Sequence, residues 1–346
     1  MEGKMKALVK TERAPGLTLQ EVDIPSVGPN DALVKVAATS ICGTDYHIYS
    51  WDEWSQGRIN PPLVAGHEFA GEVIEVGQNV QAVKPGDMVS AETHIVCHTC
   101  HQCRLGEFHT CVNTTIIGVD IDGCFAEYIS IPAENLWIND PDLDPAVASA
   151  QEPLGNAVHT ALDGEVAAQN VVVTGAGPIG LMAIPVLKKC GAQNVFVTEI
   201  STYRLDLAKE LGADIAINPA EEDPVPIVLE ATGGVGVDRV LEMSGSPKAI
   251  NQGLAMIRPG GHMSVLGVPS GSEVTLDMAN GIVFPHVRVQ GIAGREIWKT
   301  WVQTAGLLAA GLDIEPIITH RMPLEEFERG MELMGSGECG KVVLIP

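Results

Sequence analysis

The segment that decides the fold is Val171–Gly180, with the sequence VVVTGAGPIG. Its three consecutive valines predict a short buried strand, and the glycines that follow form a GxGxxG pattern. Gly175 permits a tight turn, Gly177 lets a pyrophosphate approach the backbone, and Gly180 lets a helix pack against the strand. A helix-like segment, 179–189, follows directly. The pattern therefore predicts the first βα unit of a dinucleotide-binding sheet, and the alternative is a glycine-rich loop without a nucleotide.

Strand-like and helix-like segments alternate downstream of this turn. They are a strand at 194–198, a helix at 203–211 and strands at 214–217, 240–243 and 262–266. This alternation predicts α/β architecture with a doubly wound parallel sheet of the Rossmann type. Glu199 stands at the end of the second strand, 19 residues after Gly180. An acidic residue at that place accepts hydrogen bonds from the adenosine ribose hydroxyls.

The first 150 residues have a different pattern. Residues 32–36 and 71–76 alternate between apolar and polar side chains, and turn sequences such as Lys84–Asp87 separate the short runs. This pattern predicts an irregular β-barrel domain that carries loops. The last 50 residues contain helical patterns at 298–310 and 324–334 and end in a strand, 341–345, which we expect to rejoin the first domain.

Composition excludes several classes of function. The chain has 346 residues, with 44 acidic and 21 basic side chains and a net charge of −23. An acidic balance argues against nucleic acid and anionic membranes as partners, because both require clustered Lys and Arg. The N-terminus lacks the apolar segment of a signal peptide. The uncharged stretch 166–187 contains glycines, prolines and the phosphate-loop pattern, so it is not a membrane span. We expect a cytoplasmic protein.

Four of the eight cysteines lie within fifteen residues: Cys97, Cys100, Cys103 and Cys111. Short C-x2-C turns present sulfur atoms on one side of a loop, which suits tetrahedral Zn²⁺. An iron–sulfur cluster and four unrelated buried cysteines are the alternatives. The neighbouring His98, His101 and His109 are not needed for four-fold coordination and are interpreted as loop residues. Four thiolates leave no open position, so this predicted site is structural.

A second group of candidate metal ligands lies upstream. It combines Cys42 with His67 and Glu68, and a thiolate, an imidazole and a carboxylate suit a zinc ion with one open position. Ordinary structural residues are the alternative for these three alone, and the sequence Cys42–His47 favours the metal site. Asp45 is placed to orient the imidazole of His67. Thr44 and His47 can form a path that carries a proton from a hydroxyl to an imidazole, although a surface turn is the alternative.

These motifs together resemble the zinc-dependent medium-chain dehydrogenase/reductase superfamily over essentially the whole chain. The resemblance is most detailed in Ile41–Tyr49, Trp51–Trp54, Gly123–Tyr128, Gly155–Leu162 and Gly294–Trp298. These segments resemble the branch that oxidises L-threonine, whereas Glu152-Pro153-Leu154 also resembles the polyol dehydrogenases.

The resemblance implies a GroES-like catalytic domain at 1–154 and 295–346, a Rossmann NAD-binding domain at 155–294, one catalytic and one structural zinc, and a homotetramer. Glu152 matches an acidic residue near the catalytic zinc, and Thr44 and His47 match the proton relay. The positions that match cofactor contacts beyond the glycines are Ile179, Glu199, Arg204, Leu266, Gly267, Val268, Ile292 and Ala293.

The resemblance implies NAD-dependent oxidation of L-threonine at its β-hydroxyl, in threonine catabolism. A polyol or 2,3-butanediol dehydrogenase is the alternative with the same residues. Two non-catalytic alternatives are a nucleotide-binding relative without zinc and a redox sensor that uses the cysteine cluster. The presence of Cys42, His67 and Glu68 and the net charge argue against the first of these.

Overall fold

The computed structural model describes residues 3–269, 271 and 273–346. The chain forms two compact units: residues up to Glu152 together with Ile318–Pro346, and Pro153–Ile317. Among the described residues, no helix combines the length and the apolar character that crossing a bilayer requires.

The second unit contains a six-stranded parallel sheet. Its strands are β11 (Asn170–Thr174), β12 (Asn194–Thr198), β13 (Ile215–Ile217), β14 (Val237–Glu242), β15 (Ile257–Val265) and β16 (Arg288–Gly291). Their spatial order is β13-β12-β11-β14-β15-β16, which is the order of a Rossmann fold and confirms the predicted fold class. The core includes Val172, Phe196, Val240 and Met263.

Helices connect these strands. They are α6 (Pro178–Lys189), α7 (Thr202–Glu210), α8 (Pro224–Ala231) and α9 (Pro247–Met256), with α10 (Lys299–Ala309) after the sheet and a π-helical turn at Ala279–Val283. The side chains of Ser201, Asp223 and Ser246 accept hydrogen bonds from the first turns of α7, α8 and α9. Such caps satisfy backbone donors that have no partner within the helix, which explains where these helices begin.

The first unit is rich in short strands, as predicted. They are β1 (Lys4–Lys10), β2 (Thr18–Asp23), β3 (Asp31–Ser40), β4 (Leu63–Val64), β5 (Glu68–Val76), β6 (Met88–Ala91), β7 (His94–Ile95), β8 (Thr115–Ile116), β9 (Tyr128–Pro132), β10 (Leu136–Ile138), β17 (Ile318–Pro323) and β18 (Lys341–Ile345). The largest sheet has the order β10-β6-β5-β3-β18-β17, with β9 also paired to β3. The C-terminal strand β18 pairs with β3, so it rejoins the first unit as predicted.

The helices of the first unit are short. They are α1 (Gly43–Ser50), α2 (Glu53–Arg58), α3 (His101–Arg104), α4 (Pro145–Ser149) and α11 (Phe327–Ser336), while α5 (Gln151–Leu162) begins at the end of this unit. The described part of this unit also forms 3-10 turns at Phe108–Thr110, Ala133–Asn135 and Leu324–Glu326, and the second unit forms one at Glu315–Ile317. The core of the unit lies under β3 and β5 and includes Val34, Ile41, Phe69 and Phe125.

The second domain boundary differs from the predicted one. Residues 295–317 belong to the second unit, whereas the sequence analysis assigns them to the first. The physical reason is the packing of Arg295, which is buried and donates a hydrogen bond to Asn156 Oδ1 at 3.0 Å. A Cβ atom at Gly155 would lie 2.6 Å from Cδ of Arg295, so the two chain segments are in close contact. The return to the first unit occurs only at β17.

Candidate active site

The glycine-rich loop has the backbone geometry that its sequence predicts. Gly175 has a φ of +90°, and a Cβ atom there would lie 2.8 Å from Cβ of Ser244. A Cβ atom at Gly180 would lie 2.1 Å from the carbonyl oxygen of Gly175. Both positions therefore exclude a side chain, the first for conformational and the second for steric reasons.

Gly177 has a different role because it faces open space. It caps the N-terminus of α6 without a side-chain hydrogen bond, and a Cβ atom there would meet no atom within 4 Å. A helix N-terminus with free N–H groups attracts anions. This clear approach to the backbone fits a dinucleotide pyrophosphate.

Glu199 lies at the carboxyl end of β12, beside the loop. Its Oε2 accepts a hydrogen bond from Ala176 N at 2.7 Å, and its Oε1 accepts from Ile200 N at 2.8 Å and Ser201 N at 3.0 Å. The side chain lines a cavity of about 420 Å³ together with Gly175, Gly177, Arg204 and Lys248. The structure thus brings together the glycines, Glu199 and Arg204, and it adds Lys248, which the sequence analysis does not single out.

The remaining predicted cofactor positions lie at the same edge of the sheet. Leu266, Gly267 and Val268 follow β15, and Ile292 and Ala293 follow β16. Carboxyl ends of parallel strands are where nucleotides bind in such folds. None of these five positions, nor Ile179, lines the cavity that contains Glu199 in the described structure. Their contact with a cofactor stays a prediction.

The second predicted ligand group is assembled from two paired strands. Ser40 at the end of β3 pairs with Glu68 at the start of β5, and this register brings Cys42, two residues beyond β3, close to His67 and Glu68. One ligand atom of each of the three residues lies within 4.8 Å of the others. Cys42 also precedes α1, and its backbone N–H donates to Asp45 Oδ2 at 2.8 Å.

His67 and Asp45 form a buried pair, as the sequence analysis predicts. Nδ1 of His67 lies 3.3 Å from Asp45 Oδ1, and Asp45 has no exposed surface. Burial alone lowers the pKa of His67, but the charges of Asp45 and Cys42 outweigh it and raise that pKa well above its usual range. Since Nδ1 faces Asp45, Nε2 is the ring nitrogen left for a metal ion.

Glu68 is held from behind by a buried cation. Its Oε2 lies 2.5 Å from Nζ of Lys341, and Ser40 Oγ donates to the same oxygen. Burial raises the pKa of Glu68, whereas the charge of Glu68 raises the pKa of Lys341 against the effect of burial. Within the described structure, the other oxygen, Oε1, is buried and has no hydrogen-bond partner. An unpaired carboxylate oxygen beside a thiolate and an imidazole fits Zn²⁺.

The predicted relay residues and Glu152 surround this group. Oγ1 of Thr44 lies 3.9 Å from Sγ of Cys42, and His47, on the same helix, is exposed. Glu152 is buried and close enough to Glu68 for its charge to raise the pKa of that carboxyl. Glu152 is not one of the three residues whose ligand atoms cluster within 4.8 Å. Its role as a ligand or as a tuning charge stays a prediction.

The four cysteines of the predicted structural site also converge. The Sγ atoms of Cys97, Cys100, Cys103 and Cys111 all lie within 4.8 Å of one another. Backbone N–H groups point at them: Cys100 N donates to Cys97 Sγ at 3.4 Å, and Cys103 N donates to Cys100 Sγ at 3.5 Å. Four convergent sulfurs with such donors fit tetrahedral zinc without an open position. His98 is exposed and lies 3.2 Å from Glu134, in agreement with its interpretation as a loop residue.

Hydrogen bonds make one of these thiols unusually acidic. The amide of Asn113 and then the N–H and hydroxyl of Thr99 lower the pKa of Cys97 to about 5. Burial instead raises the pKa of Cys103 to about 12. Because only thiolates bind a metal ion, binding at this site is expected to release protons.

The sequence analysis assigns no individual role to three residues near the open group: Ser40, Lys341 and Asp52. Ser40 and Lys341 contact Glu68, and Asp52 contacts His47. Lys341 is the first residue of the C-terminal strand KVVLI, and the other four residues of this strand are apolar. A buried lysine next to apolar residues indicates a buried partner of opposite charge. The pairing of distant strands that identifies this partner is not visible in the sequence.

Two family models match different parts of the chain. Residues 178–310 match the family model of zinc-binding dehydrogenases, and residues 28–140 match that of the GroES-like domain of alcohol dehydrogenases. The chain belongs to the zinc-dependent medium-chain dehydrogenase superfamily. This assignment confirms the predicted superfamily and the GroES-like and Rossmann fold classes.

Relatives within this superfamily cover the whole chain. The sequence is 56% identical to L-threonine 3-dehydrogenase of Symbiobacterium thermophilum, over 100% of this chain and 99% of that one. It is 53% identical to L-threonine 3-dehydrogenase of Bacillus subtilis, over 99% of each chain. Among solved structures, an alcohol dehydrogenase of Thermotoga maritima matches with a TM-score of 0.91 and 29% identity, covering 99% of this chain and 100% of that one. The 2R,3R-butanediol dehydrogenase of Bacillus subtilis matches with a TM-score of 0.87 and 27% identity, over 99% of each.

Proposed function

We propose that this dehydrogenase oxidises the β-hydroxyl of L-threonine with NAD, giving 2-amino-3-oxobutanoate. The observation that carries this proposal is the identity of 51–56% to L-threonine 3-dehydrogenases along the full chain. The group of Cys42, His67 and Glu68 supports it, since three ligands leave one position for a substrate oxygen. We also expect a homotetramer and a cytoplasmic location, and light scattering tests the first.

The residues of the candidate site would have separate roles in binding the metal, moving the proton and balancing charge. A zinc ion held by Cys42, His67 and Glu68 would act as a Lewis acid that lowers the pKa of the substrate hydroxyl, while NAD at the glycine loop would accept the hydride. Thr44 Oγ1, which lies 3.9 Å from Cys42 Sγ, takes the hydroxyl proton and passes its own proton to His47. His47 releases it to water, because 57% of its side chain is exposed. Glu152, which is buried near Glu68, would balance the charge there.

The substrate is tested by initial rates of NADH formation with L-threonine, sorbitol and 2,3-butanediol in parallel. We expect kcat/KM for sorbitol to be on the order of 10³-fold lower than for L-threonine, because a site built for an ammonium and a carboxylate leaves polar groups unpaired when a polyol enters. The resemblance to a butanediol dehydrogenase makes a diol the second candidate. A kcat/KM for sorbitol or butanediol equal to that for L-threonine would favour this second function.

The preference for NAD over NADP depends on Glu199. A 2′-phosphate beside this carboxylate would be repelled by about 4 kcal/mol at ~4 Å and an effective dielectric constant of ~20. We expect Glu199→Ala to weaken NAD binding. We also expect it to narrow the preference for NAD over NADP by roughly tenfold or more, which corresponds to about 1.4 kcal/mol. Arg204 and Lys248 line the same cavity and can pair with the phosphate once the carboxylate is gone. Equal KM values for NAD and NADP in the unmodified enzyme would contradict this interpretation.

A further inference from the structure

A carboxylate holds the imidazole of the relay residue His47. Nδ1 of His47 lies 2.6 Å from Oδ2 of Asp52, and the pair joins the last turn of α1 to the residue that caps α2. Trp51, between them, has a left-handed backbone with φ of 60°, which turns the chain so that residue 52 faces residue 47. The rings of Trp54 and His47 are in an edge-to-face arrangement, with 6.3 Å between the ring centres.

The second oxygen of Asp52 is fixed by Ser55. Oδ1 accepts a hydrogen bond from Ser55 N at 3.0 Å and lies 2.9 Å from Ser55 Oγ, and Ser55 has no exposed surface. Burial alone raises the pKa of Asp52, but the hydrogen bonds from Ser55 and His47 outweigh it and hold the pKa below its usual range. Asp52 is therefore an oriented, ionised carboxylate at neutral pH.

An ionised carboxylate can only accept hydrogen bonds, so Nδ1 of a neutral His47 must carry the proton. Nε2 then has the free lone pair. This is the tautomer that a relay needs if Nε2 is to receive a proton.

We infer that Asp52 is the positioning residue of the proton relay, because it fixes the ring orientation and the tautomer of His47. This inference rests on the proposed function. The proton from the substrate hydroxyl goes by way of Thr44 to Nε2 of His47, Asp52 stabilises the resulting imidazolium, and that proton passes to water at the exposed ring.

Other charged groups around this turn have different partners or point to solvent. Nζ of Lys10 donates to the carbonyl oxygens of Ala14 and Gly16 and lies 4.6 Å from the ring centre of Trp51. Asp45, on α1, faces His67, and Glu53, on α2, is exposed. Asp52 is the one carboxylate that contacts His47 among the ion pairs of the described residues.

The main test is Asp52→Asn. Asparagine is as good an N-cap as aspartate, so α2 keeps its cap, while the negative charge beside Nδ1 is lost. We expect kcat for L-threonine at pH 7 to fall about tenfold to a hundredfold, with KM changed less than about threefold. We also expect this loss of kcat to become smaller at high pH, because hydroxide can then take the proton that the relay no longer moves efficiently.

A double-mutant cycle separates positioning from a merely structural role. If Asp52 acts through His47, the double variant Asp52→Asn/His47→Asn should have a kcat no lower than that of His47→Asn alone. Both variants should recover activity at high pH. Glu53→Gln is the matched control, since it removes a carboxylate charge from the next residue, which is exposed and forms no ion pair with His47 among the described residues. We expect its kcat and the pH dependence of its kcat to match those of the unmodified enzyme.

The inference is overturned if the loss of kcat in Asp52→Asn is the same at every pH, if this loss adds fully to that of His47→Asn, or if Glu53→Gln reproduces it. Failure of the proposed function has a different result: the unmodified enzyme would not oxidise L-threonine but would oxidise 2,3-butanediol. The same cycle run with that diol would then still test Asp52.

Discussion

The two groups of candidate metal ligands in the first unit differ in what holds them in place. The four cysteines lie in a loop whose regular structure consists of the four-residue α3, a 3-10 turn and two-residue strands. Cys42, His67 and Glu68 instead stand at the ends of β3 and β5, two long paired strands of the main sheet. The first group is surrounded by hydrogen-bond donors of its own loop, whereas the second has the core and the Lys341 ion pair behind it.

Two sites with thiolate ligands can therefore differ in the role of the metal in folding. In one site the metal orders the chain, and in the other the folded chain holds the ligands in place before the metal binds. A loop with little regular structure depends on its metal for order. A ligand group at strand ends is already assembled when the sheet forms, and its metal is then available for chemistry. Removing one ligand from each group should therefore have different consequences.

The largest effect is expected for Cys100→Ser. Structural zinc contributes on the order of 10 kcal/mol to the order of its loop, so we expect loss of one zinc per subunit, proteolysis within residues 95–117 and a lower melting temperature. Elemental analysis and limited proteolysis measure these results. Cys190→Ser, which makes the same change at a half-buried cysteine outside both groups, is the control. Unchanged stability of Cys100→Ser would contradict the structural role, and iron in place of zinc would contradict the assignment of the metal.

Cys42→Ser is expected to have the reverse outcome. We expect kcat/KM to fall at least ~10³-fold, about 4 kcal/mol in the barrier, while the melting temperature changes by only a few degrees. Zinc content should fall from two to one per subunit. The opposite result for Cys42→Ser would be a large loss of stability with normal kcat/KM for the molecules that remain folded. That result would assign the structural role to the group that contains Cys42.

Lys341→Met tests the support behind the open group. It leaves Glu68 buried without its cation, which we expect to lower the free energy of unfolding by about 3–5 kcal/mol in denaturant titrations. Adding Glu68→Gln should restore most of this stability but not activity. Lys209→Met, which breaks an exposed pair with Asp206, should cost less than about 1 kcal/mol. Equal losses for the two lysines would show that the ion pair does not support the site.

The features that could be predicted from the sequence are those with local causes. The roles of Gly175 and Gly180 depend on atoms of their own loop and of adjacent strands, so the pattern around Val171–Val173 was sufficient. The four cysteines lie in one short segment, so their spacing alone indicates a shared site. Cys42 and His67 come together because β3 and β5 are consecutive long strands of one sheet.

The features that the sequence did not predict depend on contacts between distant segments. Lys341 reaches Glu68 only because β18 pairs with β3, and Arg295 joins the second unit because it packs over Gly155. The helix α5 was not predicted because Pro153 and Gly155 interrupt its pattern, although proline is tolerated in a first helical turn. Asp52 was missed since its contact with His47 requires the left-handed turn at Trp51.

Glu199 accepts hydrogen bonds from three backbone N–H groups, and this contact limits how coenzyme preference can evolve. The carboxylate that would meet the ribose also fastens Ala176 of the glycine loop to the end of β12. A lineage that exchanged this residue to admit a phosphorylated coenzyme would loosen the loop in the same step. A single exchange would therefore narrow the preference at the cost of a looser loop, and a second substitution would be needed to anchor the loop again.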